Sequence, residues 1–444
     1  MIKPWKILHI NLNNPLPNFS EDFYDINIAG YSCFFWLDNI ALGNHNISIN
    51  ELPIPTERLK SIVAMSITNT VGDKLLNSGF KPFLSEHFIR HLKNQVPDIK
   101  EIQKINSPLS KLNHINSQSQ NDEIEQLTVS VIICTRNRPE QLKNCIKSLE
   151  KLSTLPDQII VVDNQDQNDE TFDIVKKSPL KIEYVREPRA GLSIARNTGI
   201  KQSVCDLIAF TDDDVETHPD WIFRLKKSFK SPQIMAVTGL MLPLELETES
   251  QLIFEQGHGN FSWGFRSRLF DSNFFEQTRR VGVPAWRIGA GANMIFRREI
   301  FSKVGNFNEG LGAGASGCSE DSEFWYRILA DGWHCYYDPS VVVFHRHRSD
   351  IKSLNSQMYQ YMRGHITALL VQFEQHWHWG NLYRILISIP KYYLALVIKA
   401  IIWRKFPTYK TYLAEVRGCM AGIGYYFINH KQFSNFINNN TETL

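Results

Sequence analysis

Three adjacent carboxylates, Asp212, Asp213 and Asp214, follow the apolar run Leu207 to Phe210. Such neighbours repel one another unless a cation or solvent relieves them. A hard divalent cation takes oxygen ligands, and magnesium commonly combines one or two carboxylates with substrate phosphates. An ion held there neutralises a diphosphate as it departs. The plain alternative is a solvated acidic turn, or Asp214 capping a helix near Trp221. A second acidic pair, Glu320 and Asp321, precedes Phe324, Trp325, Ile328 and Leu329 at helical spacing. Carboxylates in a first helical turn favour the macrodipole. The chemical reading is a general base that takes a hydroxyl proton. The glycine-rich run Gly310 to Gly317 precedes the pair and reads as a mobile loop beside a site.

Two further groups carry weaker chemistry. Arg189 and Gly191 stand before a helical stretch bearing Arg196 and Asn197. A glycine turn at a helix start with guanidinium groups nearby suits a phosphate or an acceptor. An ordinary loop glycine with surface salt bridges fits the same residues. His345 and His347 form a His-x-His pair, as do His376 and His378. With no third ligand at zinc spacing, surface or core histidines are the simpler reading, and a zinc hydrolase is set aside.

The elements around these residues alternate. Val129 to Cys134, Ile159 to Val162, Ile182 to Val185 and Leu207 to Phe210 are apolar strand-like runs. Pro139 to Lys151, Glu170 to Lys177 and Leu192 to Gln202 read as helices between them, with Pro139 suited to a first turn. This is βαβ spacing, which predicts a mostly parallel, doubly wound α/β sheet with helices on both faces. Ligands of such sheets bind beyond the carboxyl ends of the strands. The first strand ends in Thr135 to Arg138, the second in Asp163 and Asn164, the fourth in Asp212 to Asp214. The polar clusters therefore fall on one predicted edge.

The bulk numbers narrow the class. A chain of 444 residues suggests two or three domains. A formal net charge of +2 argues against a dedicated nucleic-acid binder. Seven scattered cysteines with no Cys-x-x-Cys pair suggest reduced thiols rather than a disulfide framework. The N-terminus lacks the pattern of a secretory signal, so a cytoplasmic location is expected.

Six segments in order resemble family 2 glycosyltransferases of the GT-A fold. They are the run Val129 to Pro139, Val161 to Asn164, Gly191 to Asn197, Phe210 to Asp214, Gly291 to Met294, and Glu320 with Asp321. The resemblance covers about Thr128 to Arg348. It implies a Rossmann-like GT-A domain and an inverting transfer of a sugar, hexosyltransferase in type, from a UDP-, GDP- or dTDP-sugar to an acceptor hydroxyl. It implies that Thr135 and Arg136 contact the nucleotide and that Asp163 reads its base. Arg189, Arg196, Asp212 and Asp213 complete the expected donor site. Asp212 and Asp214 are the ends of an Asp-x-Asp motif for a divalent metal, Mn2+ or Mg2+, with His345 beside it. Asp321 is the implied catalytic base and Glu320 its neighbour. Ser319 stands before this pair, where glycine is often found. A catalytically silent sugar-nucleotide-binding scaffold on the same fold is the alternative. Thr135 to Arg138 is not the glycine-rich loop of a nucleotidyltransferase.

This organisation predicts an accessory domain over residues 1–104, a polar linker over 105–127, the GT-A domain over 128–348 and a helical C-terminal region over 349–444. The linker is rich in Asn, Ser and Gln. Ser85 to Leu92 is expected to be helical. From Asp350 onward there are ten Lys plus Arg against four Asp plus Glu. The apolar stretch Ile385 to Ile402 is broken by Pro390, Lys391 and Lys399, which argues against a spanning helix. Aromatic and basic residues around it suit an interfacial helix at the inner face of the plasma membrane. A helical cap on the catalytic domain is the alternative. A membrane-facing tail favours a glycan or lipid-linked acceptor in cell-surface polysaccharide or glycolipid synthesis.

Overall fold

The structure, a computed structural model, describes residues 3–77, 109, 126–164, 168–257, 263–403 and 409–441. The predicted helix over 85–92 and nearly all of the linker over 105–127 lie outside the described residues. The chain divides into two compact units.

The first unit spans Met1–Glu125 with two short later segments, Glu245–Glu249 and Gly264–Ser267. Its sheet has the order β1 (Trp5–Asn11), β2 (Gly30–Leu37), β3 (Ile40–Ser48), with β1 and β2 parallel and β2 and β3 antiparallel. Tyr31, Cys33, Phe35 and Leu37 alternate along β2 and share one core. Helix α1 (Thr56–Asn77) meets that core with Leu59, Ile62, Val63, Ile67, Val71 and Leu75, a stripe at three- and four-residue spacing.

The second unit opens with β4 (Val129–Thr135), α2 (Pro139–Leu149), β5 (Gln158–Asn164), α3 (Glu170–Lys177), β6 (Glu183–Glu187), α4 (Leu192–Gln202) and β7 (Leu207–Asp212). Every strand and helix expected in this stretch is present within a few residues. The chain continues through β8 (Val215–Thr217), α5 (Trp221–Lys227), β9 (Ile234–Pro243), α6 (Glu249–Gly257), β10 (Arg268–Phe270), β11 (Asn293–Arg297), α7 (Glu320–Ala330) and β12 (His334–His345). The sheet order is β10-β12-β9-β11-β7-β4-β5-β6, with β8 paired to β12. Strands β4, β5, β6 and β7 are mutually parallel, and β11 runs antiparallel between β7 and β9. The alternation is clean. Ile132, Ile160, Val162, Ile208 and Phe210 enter one core. Val131, Ile133, Ile159, Val161, Leu207 and Ala209 enter the other. Helix α7 packs on the first and α2 on the second, so both faces are covered. The connections run from β4 outward to β6, then cross back to β7 on the other side of β4. The strand order reverses there, and a crevice at the strand ends follows.

The C-terminal region is helical: α8 (Ile351–His376), α9 (Ile389–Trp403), α10 (Tyr409–Ile428) and α11 (His430–Thr441). The apolar stretch from Ile385 divides into a wider π turn, Arg384–Ser388, and α9, with Pro390 in its first turn. Among the described residues no helix is long and apolar enough to cross a membrane.

Candidate active site

The register of the parallel strands brings the polar clusters together. Thr135 pairs with Asp163, and Cys134 with Asp212. The Thr135 hydroxyl donates to Asp213 at 2.8 Å. The chain then turns through Asn137 in the left-handed region (φ 55°). Beyond the turn Arg138 reaches Asp213 at 3.1 Å and Asp214 at 3.2 Å. Pairing of Val215 with His345 sets β12 beside the same run. His345 Nε2 lies 3.6 Å from Asp214 Oδ1, and Arg348 Nη1 lies 3.9 Å from Asp214 Oδ2.

Asp213 and Asp214 are therefore largely buried rather than solvated, and Asp212 stays about a third exposed. Asp213 is 4% exposed. Burial, then the neighbouring Asp214, push its pKa up to about 7, against Arg138 and the Thr135 hydroxyl. Burial also raises the pKa of Asp212. Nor does Asp214 cap a helix: Asp220 holds the position before α5. Burial lowers the His345 pKa to about 4, with Asp214 opposing, so the ring is neutral at neutral pH.

Arg196 joins the two acidic groups. It is 2% exposed, donates to Glu320 at 2.6 Å, and lies 3.6 Å from Asp212. Its guanidinium sits 5.8 Å from the Phe210 ring centre and 5.6 Å from that of Phe307. Burial pushes the Glu320 pKa up to about 7, while Arg196 pulls it down. Asp321 Oδ1 accepts from the Ser322 amide at 2.6 Å and its hydroxyl at 3.1 Å. A Cβ on Gly291 would come within 2.8 Å of Arg196 Nη2 and 3.1 Å of Asp321 Oδ2. The glycine of the Gly291 to Met294 segment thus leaves room for both groups. Two residues on, Asn293 is structural: it accepts from the Trp221 indole at 3.0 Å and donates to the Val341 carbonyl at 2.9 Å. Ser319, before α7, has φ 70° and ψ 16°. The backbone there adopts the conformation that glycine takes without penalty, and serine costs about 1 kcal/mol more.

The other expected donor residues are more dispersed. Asp163 is buried and accepts from the Tyr184 hydroxyl at 2.8 Å. Arg136 is exposed on the turn after β4. Arg189 pairs with Glu187 at 2.9 Å and Glu309 at 3.4 Å. The Arg189 guanidinium and further hydrogen bonds hold the Glu187 pKa down at about 2. Asn164 accepts from the Gly191 amide at 2.9 Å and so ties the loop to β5. His378 contacts the Tyr326 hydroxyl at 2.6 Å and stacks with His376.

Sequence reasoning passed over Arg138, Arg348 and Tyr184. Arg138 lay inside the Thr135 to Arg138 cluster, so it was there to be found. Arg348 reaches Asp214 across more than a hundred residues of chain, and no local spacing signals that.

Among the described residues no cluster of three or more His, Cys, Asp or Glu side chains is arranged to hold a metal ion. A smaller set does fit one. The 3.6 Å between Asp214 Oδ1 and His345 Nε2 is too long for a hydrogen bond and within about half an ångström of the spacing of two neighbouring ligands of one octahedral cation. Ions that keep waters and substrate phosphates need only one or two protein ligands.

Comparison with known proteins agrees with this geometry. Residues 130–305 match Glycosyl transferase family 2. The chain is similar to the succinoglycan biosynthesis protein ExoM of Rhizobium meliloti, 30% identical over 232 residues, 49% of this chain and 67% of that protein. It is similar to the pre-mycofactocin glycosyltransferase of Mycobacterium tuberculosis, 26% identical over 226 residues, 50% of this chain and 44% of that one. The match thus spans less than half the length of the mycobacterial relative. Among solved structures it is similar to a mannosyltransferase of Pyrobaculum calidifontis in complex with GDP-Man and Mn2+, with a TM-score of 0.43 and 16% identity, covering 71% of this chain and 85% of that one. The chain belongs to glycosyl transferase family 2.

Proposed function

We propose that this protein is an inverting glycosyltransferase of polysaccharide or glycoconjugate biosynthesis, moving a sugar from a nucleotide-sugar donor to an acceptor hydroxyl. The observation that carries this reading is the meeting of Asp212 and Glu320 on the buried Arg196, with Asp321 beside it and the Thr135 hydroxyl on Asp213 at the same strand ends. Asp163, held by Tyr184, reads the nucleotide base, and Thr135 and Arg136 flank the nucleotide. Asp321 takes the acceptor proton as the acceptor oxygen attacks the anomeric carbon. One displacement inverts the configuration, so no covalent nucleophile is required. Arg138 and Arg348 place fixed positive charge where the diphosphate leaves. A divalent ion held by Asp214 and His345, with Asp212 nearby, supplies further charge neutralisation when bound.

A donor screen by thermal shift tests the reading, using UDP-, GDP- and dTDP-sugars with Mn2+ and with a chelator. One nucleotide class should stabilise the protein with Mn2+ and lose that effect with chelator. Saturating donor adds about 2.7 kcal/mol at a hundredfold excess over Kd. A flat melting temperature across all donors would sink the donor site and the catalytic reading with it.

We further propose that the C-terminal helices rest on an anionic lipid surface. Leu394 and Val397 on α9 and Leu413, Met420, Phe427 and Ile428 on α10 are all more than half exposed. Trp377 and Trp379 are exposed beside this region, and the tail is basic. Apolar and aromatic side chains with surrounding positive charge suit an interface. The protein should co-sediment with phosphatidylglycerol vesicles and much less with phosphatidylcholine vesicles. Sedimentation with neither would remove the membrane from this account.

A further inference from the structure

We infer that His347 and Glu255 fix the orientation of hydrogen on His345, so that His345 Nε2 presents a lone pair toward Asp214 and a bound cation. His347 is then a positioning residue, and Glu255 acts through it. The inference rests on the metal reading proposed above.

The contacts form one line. Glu255 Oε2 lies 3.0 Å from His347 Nε2. His347 Nδ1 lies 2.9 Å from His345 Nδ1. His345 Nε2 lies 3.6 Å from Asp214 Oδ1. The His347 side chain is 2% exposed, and its ring packs 4.7 Å from that of Phe254 on α6, so its position is fixed.

Hydrogen-bond direction follows from the donors available. A carboxylate only accepts, so His347 donates its Nε2–H to Glu255. In the neutral form of the His347 ring, on which the inference rests, the other nitrogen is then an acceptor. His345 must therefore donate Nδ1–H to His347. Its Nε2 is left without hydrogen and aimed at the Asp214 carboxylate. Arg138 and Arg348 meet Asp214 at Oδ2, so the lone pair on His345 and Asp214 Oδ1 face each other across 3.6 Å, where a cation would join them. Running the line in the opposite direction would place a hydrogen on the ligating nitrogen and demand a donor at Glu255. Partners of this kind orient a metal-bound histidine and raise its basicity. Glu255 lies on α6, 92 residues before His347, so the sequence pattern alone does not reveal the relay.

The test measures Mn2+ binding to the full chain by electron paramagnetic resonance, with UDP and separately with GDP present. Echo modulation from histidine 14N reports nitrogen ligation. His347→Phe keeps a ring but removes the acceptor, and should weaken Mn2+ about 10- to 100-fold. His347→Asn returns an acceptor at the position of Nδ1 and should recover most of that loss. Should His347→Phe fail to fold, Glu255→Leu should weaken Mn2+ while Glu255→Gln, which retains an acceptor, should not. Wild-type affinity with intact 14N modulation in His347→Phe or Glu255→Leu would overturn the inference and leave the metal reading standing. Equal weakening in the Asn and Phe variants would overturn it too. Absence of Mn2+ binding in the wild type, unchanged by Asp214→Asn, would remove the metal reading and this inference together.

Discussion

Asp321→Asn lowers turnover by about 10²- to 10⁴-fold, the range of a lost general base, while donor affinity in the presence of Mn2+ stays near that of the wild type. The substitution is nearly isosteric. An asparagine carbonyl at the place of Oδ1 still accepts from the Ser322 amide and hydroxyl, now at 2.6 and 3.1 Å, so the start of α7 keeps its geometry. What changes is Oδ2, which faces Gly291 beside Arg196. An amide nitrogen there takes no proton. Donor contacts proposed for Thr135, Asp163 and Asp214 are untouched, so binding and chemistry separate. Initial rates against acceptor, with donor affinity by calorimetry, check this. Turnover within about tenfold of wild type would take the base role from Asp321.

What was legible in the sequence was what is periodic or local. The runs ending at Thr135, Asn164 and Asp212 alternate between two cores, and a period of two is visible in any strand. The helices α3 and α4 fall at the predicted boundaries, and Gly191 stands directly before the start of α4. The shared edge followed from parallel strands alone, since all their carboxyl ends point one way. The charge pairing across that edge was not legible. Arg348 on Asp214 and Glu255 on His347 come from distant segments, and only tertiary packing selects them. Arg196 shows the same limit from another side. Its place beside a glycine turn suggested phosphate contact, whereas folding buries it under the site against Glu320 and Asp212. Ser319 carried a local signal that proved informative, because the backbone there is left-handed.

Arg196→Met destabilises the protein by about 3–5 kcal/mol, the penalty for removing one partner of a buried ion pair. Methionine preserves most of the volume and the contact with the Phe210 and Phe307 rings, so packing changes little. The loss is electrostatic. Glu320, 5% exposed, forfeits its 2.6 Å partner, and Asp212 its nearest cation among the pairs described. The pH dependence gives the signature. Glu320 has its pKa raised from 4.5 to about 7 in the folded protein, with burial as the main cause. A raised folded-state value means that the native protein holds a proton the unfolded chain has released. The associated stability is full below pH 4.5 and declines as pH rises toward 7. Without Arg196 to favour the charged form, the Glu320 pKa moves higher still, and the decline extends to more alkaline pH. Urea unfolding from pH 4 to 9 measures both effects at once. A parallel downward shift at every pH would mean that packing, not the buried charge pair, is what Arg196 contributes. A steeper decline above pH 7 in the variant would establish that the Arg196 guanidinium favours the charged form of Glu320.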